Sequence, residues 1–302
     1  YGENPHQKAA FYADKTPLSG SLGASTLIQG KELSYNNILD ADAALDCVKS
    51  FPKEPSVCVI VKHANPCGIA QSSTALDAYL RAFQADPISA YGGIIAFNSA
   101  LDAETASAIL EKQFVEVIVA PSATEEAKQV LHKKENIRLL ITGVWQQHKQ
   151  NFTLKKVDGG LLVQEQDILL NKELTSVTEI QASEKQLQDL LFAWTAVKHV
   201  KSNAIVYARD CTTLGIGAGQ TSRVMSAKIG LWQAEQMGFS TQGAVMASDA
   251  FIPFTDTIEL AAQAGIKAII QPGGSIRDKE IIQAATEQGI AMLFTGMRHF
   301  KH

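Results

Sequence analysis

Short apolar runs alternate along this chain with longer stretches in which apolar residues recur every three or four positions. Residues 57–61, Val-Cys-Val-Ile-Val, form an uninterrupted apolar run that is typical of a strand buried on both faces. Residues 74–85 place Leu76, Leu80 and Phe83 on one side of a helix. This alternation predicts a layered α/β fold.

The same alternation extends through the rest of the chain. It predicts strands at 93–97, 115–120, 204–208 and 243–246, and helices at 102–113, 184–200, 222–237 and 257–264. Each half therefore has the elements needed for a sheet covered by helices.

Two fragments of the first half have counterparts in the second half. Residues 114–121 and the helix that follows them are echoed by residues 266–272 and the helix that follows those. Val-Lys-His-Ala-Asn-Pro at 61–66 is echoed by Val-Lys-Ser-Asn-Ala at 200–204. We predict a duplication. The alternative is that two α/β units built under the same packing rules share such fragments by chance.

The boundary between the two predicted units lies in a polar region of the chain. The best candidates are the polar stretch 145–156 and the acidic, amide-rich segment 164–188. We therefore predict one domain at 1–160 and a second at 161–302.

Composition narrows the classes of function. The chain has 302 residues, of which 46% are hydrophobic, and its net charge of -4 gives no basic excess. Nucleic acid and anionic membranes are therefore not predicted partners. The apolar runs are far shorter than the roughly 20 residues of a membrane-spanning helix, so no membrane span is predicted. The chain starts at Tyr1 without a methionine, and we expect a fragment or processed product.

The four cysteines are sparse and lack the paired spacing of a metal site: Cys47, Cys58, Cys67 and Cys211. This usage indicates a reducing compartment, and we predict a cytoplasmic protein.

Lys62 and His63 are the strongest candidates for chemistry that the residues alone provide. They follow the predicted strand 57–61, in the segment Lys-His-Ala-Asn-Pro-Cys-Gly, where α/β sheets bind ligands. A histidine can transfer a proton near neutral pH, and a lysine can stabilise an oxyanion. The alternative is a structural turn at 65–68 with a solvated Lys62.

Pro66 and Cys67 are similar to part of a zinc-deaminase motif. That motif needs a second cysteine three residues after the first, and here the position holds Ala70. Zinc is therefore not predicted, and Cys67 has no evident partner in sequence that would activate it as a nucleophile.

Two further segments are candidates for ligand binding. Residues 214–223 place glycines before a predicted helix, where backbone amides could bind an anion, although a tight turn explains them equally well. Residues 248–256 combine two aromatics with two carboxylates, which suits a pterin-like ring. Asp256 alone is better explained as a helix N-cap.

Together these motifs resemble the AICAR transformylase domain of bifunctional purine-biosynthesis proteins. The most specific are the opening Tyr-Gly-Glu-Asn-Pro-His-Gln and the segments 62–68, 215–223 and 248–256, in the family's order. The resemblance continues to residues 298–302 and covers essentially the whole chain. The usual cyclohydrolase domain is absent from this sequence, so we do not expect cyclisation.

The resemblance implies two tandem cytidine-deaminase-like, three-layer α/β subdomains without zinc. It implies a homodimer with active sites between subunits. It also implies transfer of the formyl group of 10-formyltetrahydrofolate to the 5-amino group of AICAR. The catalytic positions would be Lys62, His63 and Asn203, with His63 taking the amine proton and Lys62 stabilising the oxyanion.

The resemblance also implies positions for the substrates. AICAR would be bound by Tyr1, Asn37, Gly92, Glu116 and Arg298, the last on its phosphate. The folate would be bound by Ile88, Tyr91, Phe251, Pro253 and Asp256. A structural monovalent cation, K⁺ in some members, would lie near Val197, Asp249 and His302.

Two other classes of function stay open from the residues alone. One is a metal-dependent, deaminase-like hydrolase, which stoichiometric zinc would favour. The other is a nucleotide-binding module without activity, which AICAR binding without turnover would favour.

Overall fold

The computed structural model describes residues 1–145 and 151–302. Its strands are β1 Thr26–Gln29, β2 Ser56–Lys62, β3 Asn65–Ser72, β4 Gly93–Phe97, β5 Val115–Ala120, β6 Arg138–Ile141, β7 Phe152–Val157, β8 Gly160–Glu165, β9 Thr175–Ser176, β10 Ile205–Arg209, β11 Thr212–Gly217, β12 Val245–Ser248, β13 Ala268–Gln271 and β14 Ala291–Phe294. Its α-helices are α1 Tyr35–Lys49, α2 Ala75–Ala85, α3 Pro87–Ala90, α4 Ala103–Lys112, α5 Glu125–His132, α6 Glu184–Val197, α7 Arg223–Gln236, α8 Asp256–Gln263 and α9 Asp278–Glu287, and a 3-10 helix spans Leu22–Ala24.

Twelve strands form one sheet in the order β1-β6-β5-β4-β2-β3-β11-β10-β12-β13-β14-β9. Each half contributes a central antiparallel hairpin, β2-β3 or β10-β11. Three mutually parallel strands lie next to each hairpin on its outer side, β4-β5-β6 in the first half and β12-β13-β14 in the second. The outermost strand of each half, β1 or β9, is antiparallel to its neighbour. The halves therefore have the same strand order and directions, as the predicted duplication requires.

Of the two predicted sequence echoes, one is confirmed and one is wrong. β5 with α5 and β13 with α9 occupy equivalent positions in the two halves. Residues 61–66 instead form the end and tip of the β2-β3 hairpin, whereas residues 200–204 precede β10. The equivalent of the His63 tip is the turn at Asp210 and Cys211, because both turns join the two central strands of their half.

The halves meet where β3 lies beside β11. Thr212 pairs with Ala70, and the N–H of Gln71 donates to the carbonyl of Cys211 at 2.9 Å. The Thr213 hydroxyl adds a side-chain link, accepting from Ile69 N at 3.0 Å. Because the two strands are antiparallel, the His63 tip lies at the edge of the sheet opposite to the Asp210 turn.

The sheet is the middle of three layers. Helices α1 and α6 cover one face, and their apolar residues join both halves into one continuous core. On the other face, α2, α4 and α5 cover the first half and α7, α8 and α9 cover the second, giving two separate cores. Trp194 and Tyr207 are among the largest fully buried side chains. Among the described helices, none is long and apolar enough to cross a bilayer.

Glycines in the two central strands let a helix pack unusually close. A Cβ on Gly68 would lie 2.0 Å from the Ala82 carbonyl oxygen in α2, and one on Gly215 would lie 1.9 Å from the Gly230 oxygen in α7. The first part of the segment 214–223 therefore belongs to the buried strand β11. It is neither a tight turn nor a loop whose amides could bind an anion, so both predictions are wrong for this part. Glycine in a strand marks this close approach.

Strands β7 and β8 form a separate two-stranded hairpin between the halves. Most of its apolar side chains are exposed, including Phe152, Leu154 and Leu162. The predicted domain boundary at 160/161 falls inside this hairpin and stays a prediction. Residues 146–150 of the predicted polar boundary stretch lie outside the described residues.

Candidate active site

The tip of the β2-β3 hairpin presents His63 at the edge of the sheet. His63 and Ala64 have φ of 55° and 56°, the backbone of a two-residue type I′ turn. β3 begins at Asn65, so the turn is shorter than the segment 62–68 suggested. Positive φ at two residues other than glycine is unfavourable, and it needs contacts that hold the turn in place.

Asp40 in α1 supplies two of these contacts. Its Oδ2 accepts from the N–H of His63 at 3.1 Å, and its Oδ1 accepts from the N–H of Ala64 at 2.7 Å. Sequence reasoning missed Asp40. The available signal was the repeat Ser-x-x-Asn-x-x-Asp at 34–40, which returns as Ser-x-x-Gln-x-x-Asp at 183–189.

Lys201 from the second half holds the same turn from the other side. Its Nζ donates to the carbonyl of His63 at 3.1 Å, and its backbone N–H donates to Asn65 Oδ1 at 3.0 Å. The segment leading to Asn203 therefore runs directly beside the tip. In this way the structure brings together elements that are about 140 residues apart in sequence.

The side chains of Lys62 and His63 have different environments. Lys62 Nζ donates to the backbone carbonyl of Tyr91 at 2.7 Å, which fixes the ammonium group at the edge of the sheet. The His63 side chain is exposed, and none of the hydrogen bonds among the described residues uses its imidazole. It is therefore available to a substrate.

The buried side chain of Arg223 fixes Asn203 by a hydrogen bond. Arg223 Nη2 donates to Asn203 Oδ1 at 2.8 Å, and Asn203 Nδ2 donates to the Gln220 carbonyl at 2.9 Å. Because arginine only donates, the side-chain oxygen of Asn203 is identified, and one N–H stays available. Arg223 is itself paired at 2.5 Å with Asp249, which is fully buried. Sequence reasoning missed Arg223 because its partners lie in distant segments.

Two of the predicted nucleotide contacts lie side by side. Asn37 Nδ2 donates to Glu116 Oε2 at 2.7 Å. Asn37 also forms a reciprocal capping box with Ser34 at the start of α1, which fixes its backbone and side-chain oxygen. Gly92 lies after Tyr91 with φ of 75°, where glycine is favoured.

In the described part of the chain, no hydrogen bond, ion pair or ring contact joins Tyr1 or Arg298 to these groups. Tyr1 lines a cavity of about 580 Å³ between the N-terminal segment and α1, together with Tyr35, Ile38 and Leu39. The Arg298 guanidinium stacks over the Phe300 ring at 4.6 Å.

The predicted folate residues belong to two different halves of the sheet. Ile88 and Tyr91 belong to the first half and are 76% and 62% exposed, whereas Phe251, 40% exposed, follows β12 in the second half with Pro253 and Asp256. Among the described residues, no hydrogen bond, ion pair or aromatic ring contact joins the two sets. The prediction that Asp256 is an N-cap is wrong: it is the first residue of α8, after Thr255 at the cap position.

Cys67 is unsuited to nucleophilic or metal chemistry. Burial raises the pKa of its thiol to about 12, so the reactive thiolate is not populated near neutral pH. Among the described residues, no three His, Cys, Asp or Glu side chains form a group that could hold a metal ion. All four cysteines are free thiols.

Asp249, from the predicted cation site, already has two partners. Arg223 binds its Oδ1, and the Ser202 hydroxyl donates to its Oδ2. The His302 ring packs instead on Phe300, with centroids 5.6 Å apart. The charge of Asp249 is thus compensated by Arg223.

A free imidazole, a fixed ammonium and an asparagine N–H on adjacent loops are groups that acyl-type transfer requires. The α/β fold and these groups fit an enzyme of the transferase class. The model of the family described as AICARFT/IMPCHase bienzyme matches residues 1–233, and the chain belongs to that family. It is an AICAR formyltransferase of purine biosynthesis, and this family uses formyltetrahydrofolate as co-substrate.

The matched range contains Lys62, His63 and Asn203, together with the nucleotide candidates of the first half. Phe251, Pro253, Asp256 and Arg298 lie beyond residue 233. The resemblance predicted for the whole chain is therefore confirmed over 1–233.

Proposed function

We propose that Lys62, His63 and Asn203 carry out formyl transfer from 10-formyltetrahydrofolate to the 5-amino group of AICAR. The observation that carries this proposal is the His63 tip, which Asp40 and Lys201 hold by its backbone while its imidazole stays free. A rigid turn with a free proton acceptor is what general-base catalysis needs.

The amine of AICAR is a weak nucleophile, because its lone pair is delocalised into the ring and carboxamide. His63 removes the amine proton as nitrogen attacks the formyl carbon. Lys62 stabilises the tetrahedral oxyanion and assists proton delivery to the departing folate nitrogen. Asn203 contributes through its free N–H, which donates to a substrate oxygen, since its own oxygen is bound by Arg223.

Glu116 and Asn37 suit the ribose of AICAR. Asn37 holds one carboxylate oxygen of Glu116, and the other oxygen is free to accept from ribose hydroxyls. Arg298 would bind the phosphate with its guanidinium fork. Tyr1 and Gly92 complete the nucleotide positions.

We also propose that the protein is a homodimer with shared active sites. Four of the five folate residues are exposed, Pro253 is half-buried, and the two sets lie on different halves. A second subunit can therefore bring Ile88 and Tyr91 of one copy to Phe251, Pro253 and Asp256 of another. The exposed apolar residues of β7 and β8 provide surface that association would bury.

The remaining parts of the proposal concern fold type, cation and compartment. The repeated three-layer halves support two cytidine-deaminase-like subdomains. A monovalent cation near Val197, Asp249 and His302 would use backbone carbonyls, because Arg223 already neutralises Asp249. The free thiols support a cytoplasmic location.

The first test is His63→Ala in an assay of tetrahydrofolate release with AICAR and 10-formyltetrahydrofolate. We expect kcat to fall by at least about a hundredfold, with AICAR affinity changed little, because proton transfer matters mainly in the transition state. Near-normal turnover would overturn the assignment. Specific activity that rises with protein concentration would support the shared dimer site, and concentration-independent activity in a monomer would exclude it.

A further inference from the structure

Gln233 in α7 connects the second half to the first through both ends of its side-chain amide. Its Oε1 accepts from the backbone N–H of Ile216 in β11 at 2.7 Å. Its Nε2 donates to Asp86 Oδ2 at 2.7 Å. Because a backbone N–H can only donate, the orientation of the amide is fixed and its NH₂ group faces Asp86.

Asp86 links Gln233 to the segment of α3 and Tyr91, which binds Lys62. Its other oxygen, Oδ1, accepts from Ser89 N at 2.8 Å and caps the short helix α3. Tyr91 follows α3 directly, and its carbonyl accepts from Lys62 Nζ at 2.7 Å. A run of hydrogen bonds therefore leads from β11 through Gln233, Asp86 and α3 to the Lys62 ammonium.

We infer that Gln233 is a positioning residue for Lys62, an inference that rests on the proposed role of Lys62. Helix α3 has four residues, too few to be stable alone, so its orientation depends on contacts at its ends. The hydrogen bond from Gln233 to a carboxylate is charge-assisted and sets one of those ends. Gln233 thus determines where the Tyr91 carbonyl holds the ammonium group.

The decisive experiment reverses the direction of this hydrogen bond. Gln233→Glu keeps an acceptor for Ile216 N but sets a carboxylate against Asp86. Asp86→Asn keeps the cap on α3 but sets two NH₂ groups against each other. We expect each single variant to lower kcat by about tenfold, with KM for AICAR within about twofold, since misplaced groups weaken the transition state.

The double variant Gln233→Glu with Asp86→Asn restores one donor and one acceptor. We expect its kcat, measured per folded enzyme, to return to within about threefold of wild type. Gln236→Glu is the matched control, because it adds the same charge to an exposed position of α7, and we expect unchanged kcat.

Two results would overturn the inference. One is wild-type kcat in Gln233→Glu. The other is a double variant no more active than the product of the two single effects. Lys62→Ala separates this from the proposed function: full activity there removes the role of Lys62, whereas an inactive Lys62→Ala beside a fully active Gln233→Glu removes the role of Gln233 alone.

Discussion

The hairpin turn between β2 and β3 and the turn between β10 and β11 occupy equivalent places in the two halves. His63 and Ala64 have φ of 55° and 56°, and Asp210 and Cys211 have 52° and 51°. The backbones are the same, but the side chains are not. The first turn offers a free imidazole. The second pairs Asp210 with Lys185 at 2.5 Å and buries Cys211, and this burial raises the pKa of its thiol to about 11.

The helices that hold these turns are also equivalent. Both α1 and α6 start with a reciprocal capping box, and the sixth residue of each, Asp40 or Asp189, accepts from the backbone of its turn. Asp40 holds two N–H groups, whereas Asp189 holds one, that of Cys211. The two halves thus share one backbone arrangement, and their turns differ in the side chains that they present.

The largest expected effect tests whether the close contact between a central strand and its helix is equally important for stability in the two halves. Gly68→Ala and Gly215→Ala would each place a Cβ 2.0 Å or less from a carbonyl oxygen in the helix above. Since the backbone must move to relieve such a clash, we expect each variant to lose about 3 kcal/mol of unfolding free energy in urea titrations. If only one is destabilised, the equivalence of the halves fails at this contact.

Gly160→Ala is the control for these variants. Its Cβ would lie 3.7 Å from Val157 Cγ2, an ordinary contact, and Gly160 does not have a positive φ. We expect a change below about 0.5 kcal/mol. A loss as large as that of Gly68→Ala would show that any added methyl group destabilises the chain.

The second prediction tests whether the two equivalent aspartates, Asp40 and Asp189, differ in their importance for activity. Asp40→Asn replaces one of two acceptor oxygens with an NH₂ group that faces an N–H, whereas Asp189→Asn can keep its single bond. We expect Asp40→Asn to lower kcat by about ten- to a hundredfold through the displaced His63. Asp189→Asn should change kcat less than about twofold. Equal losses in both variants would mean that the Asp40 contacts stabilise the fold without positioning His63.

How much of this the sequence could predict depends on the kind of contact. β4 and β5 have their predicted bounds, because strands buried on both faces give continuous apolar runs. β11 was missed, because its glycines serve helix packing and resemble a loop. α1 was missed as a helix, although its capping box is visible in the sequence.

The site was only partly predictable for a related reason. Lys62 and His63 stand out because their chemistry is local and follows a strand. Asp40 had a sequence signal in the repeat shared by 34–40 and 183–189. Arg223 and Gln233 act through hydrogen bonds to segments that the topology brings near, and their neighbouring residues give no sign of this. Such contacts require the fold before they can be recognised.

The smallest expected effect concerns Ser50, the first residue after α1, and His199, the second residue after α6. Ser50 Oγ and His199 Nε2 are joined by a hydrogen bond of 2.9 Å. Burial lowers the pKa of His199 below its ordinary 6.5, although Asp46 opposes this shift. The folded protein therefore keeps His199 neutral at a pH where the unfolded chain binds a proton. Stability must fall as the pH drops below about 6.5, by at most about 1.4 kcal/mol per unit.

His199→Gln removes this titration and leaves a side chain that can still bond to Ser50. Between pH 8 and pH 5, we expect the wild type to lose more unfolding free energy than the variant, with all other titrating groups shared. Urea titrations at the two pH values measure both losses. The same loss in both proteins would mean that His199 becomes protonated in the folded state as readily as in the unfolded chain. The contact between Ser50 and His199 would then tolerate a buried positive charge.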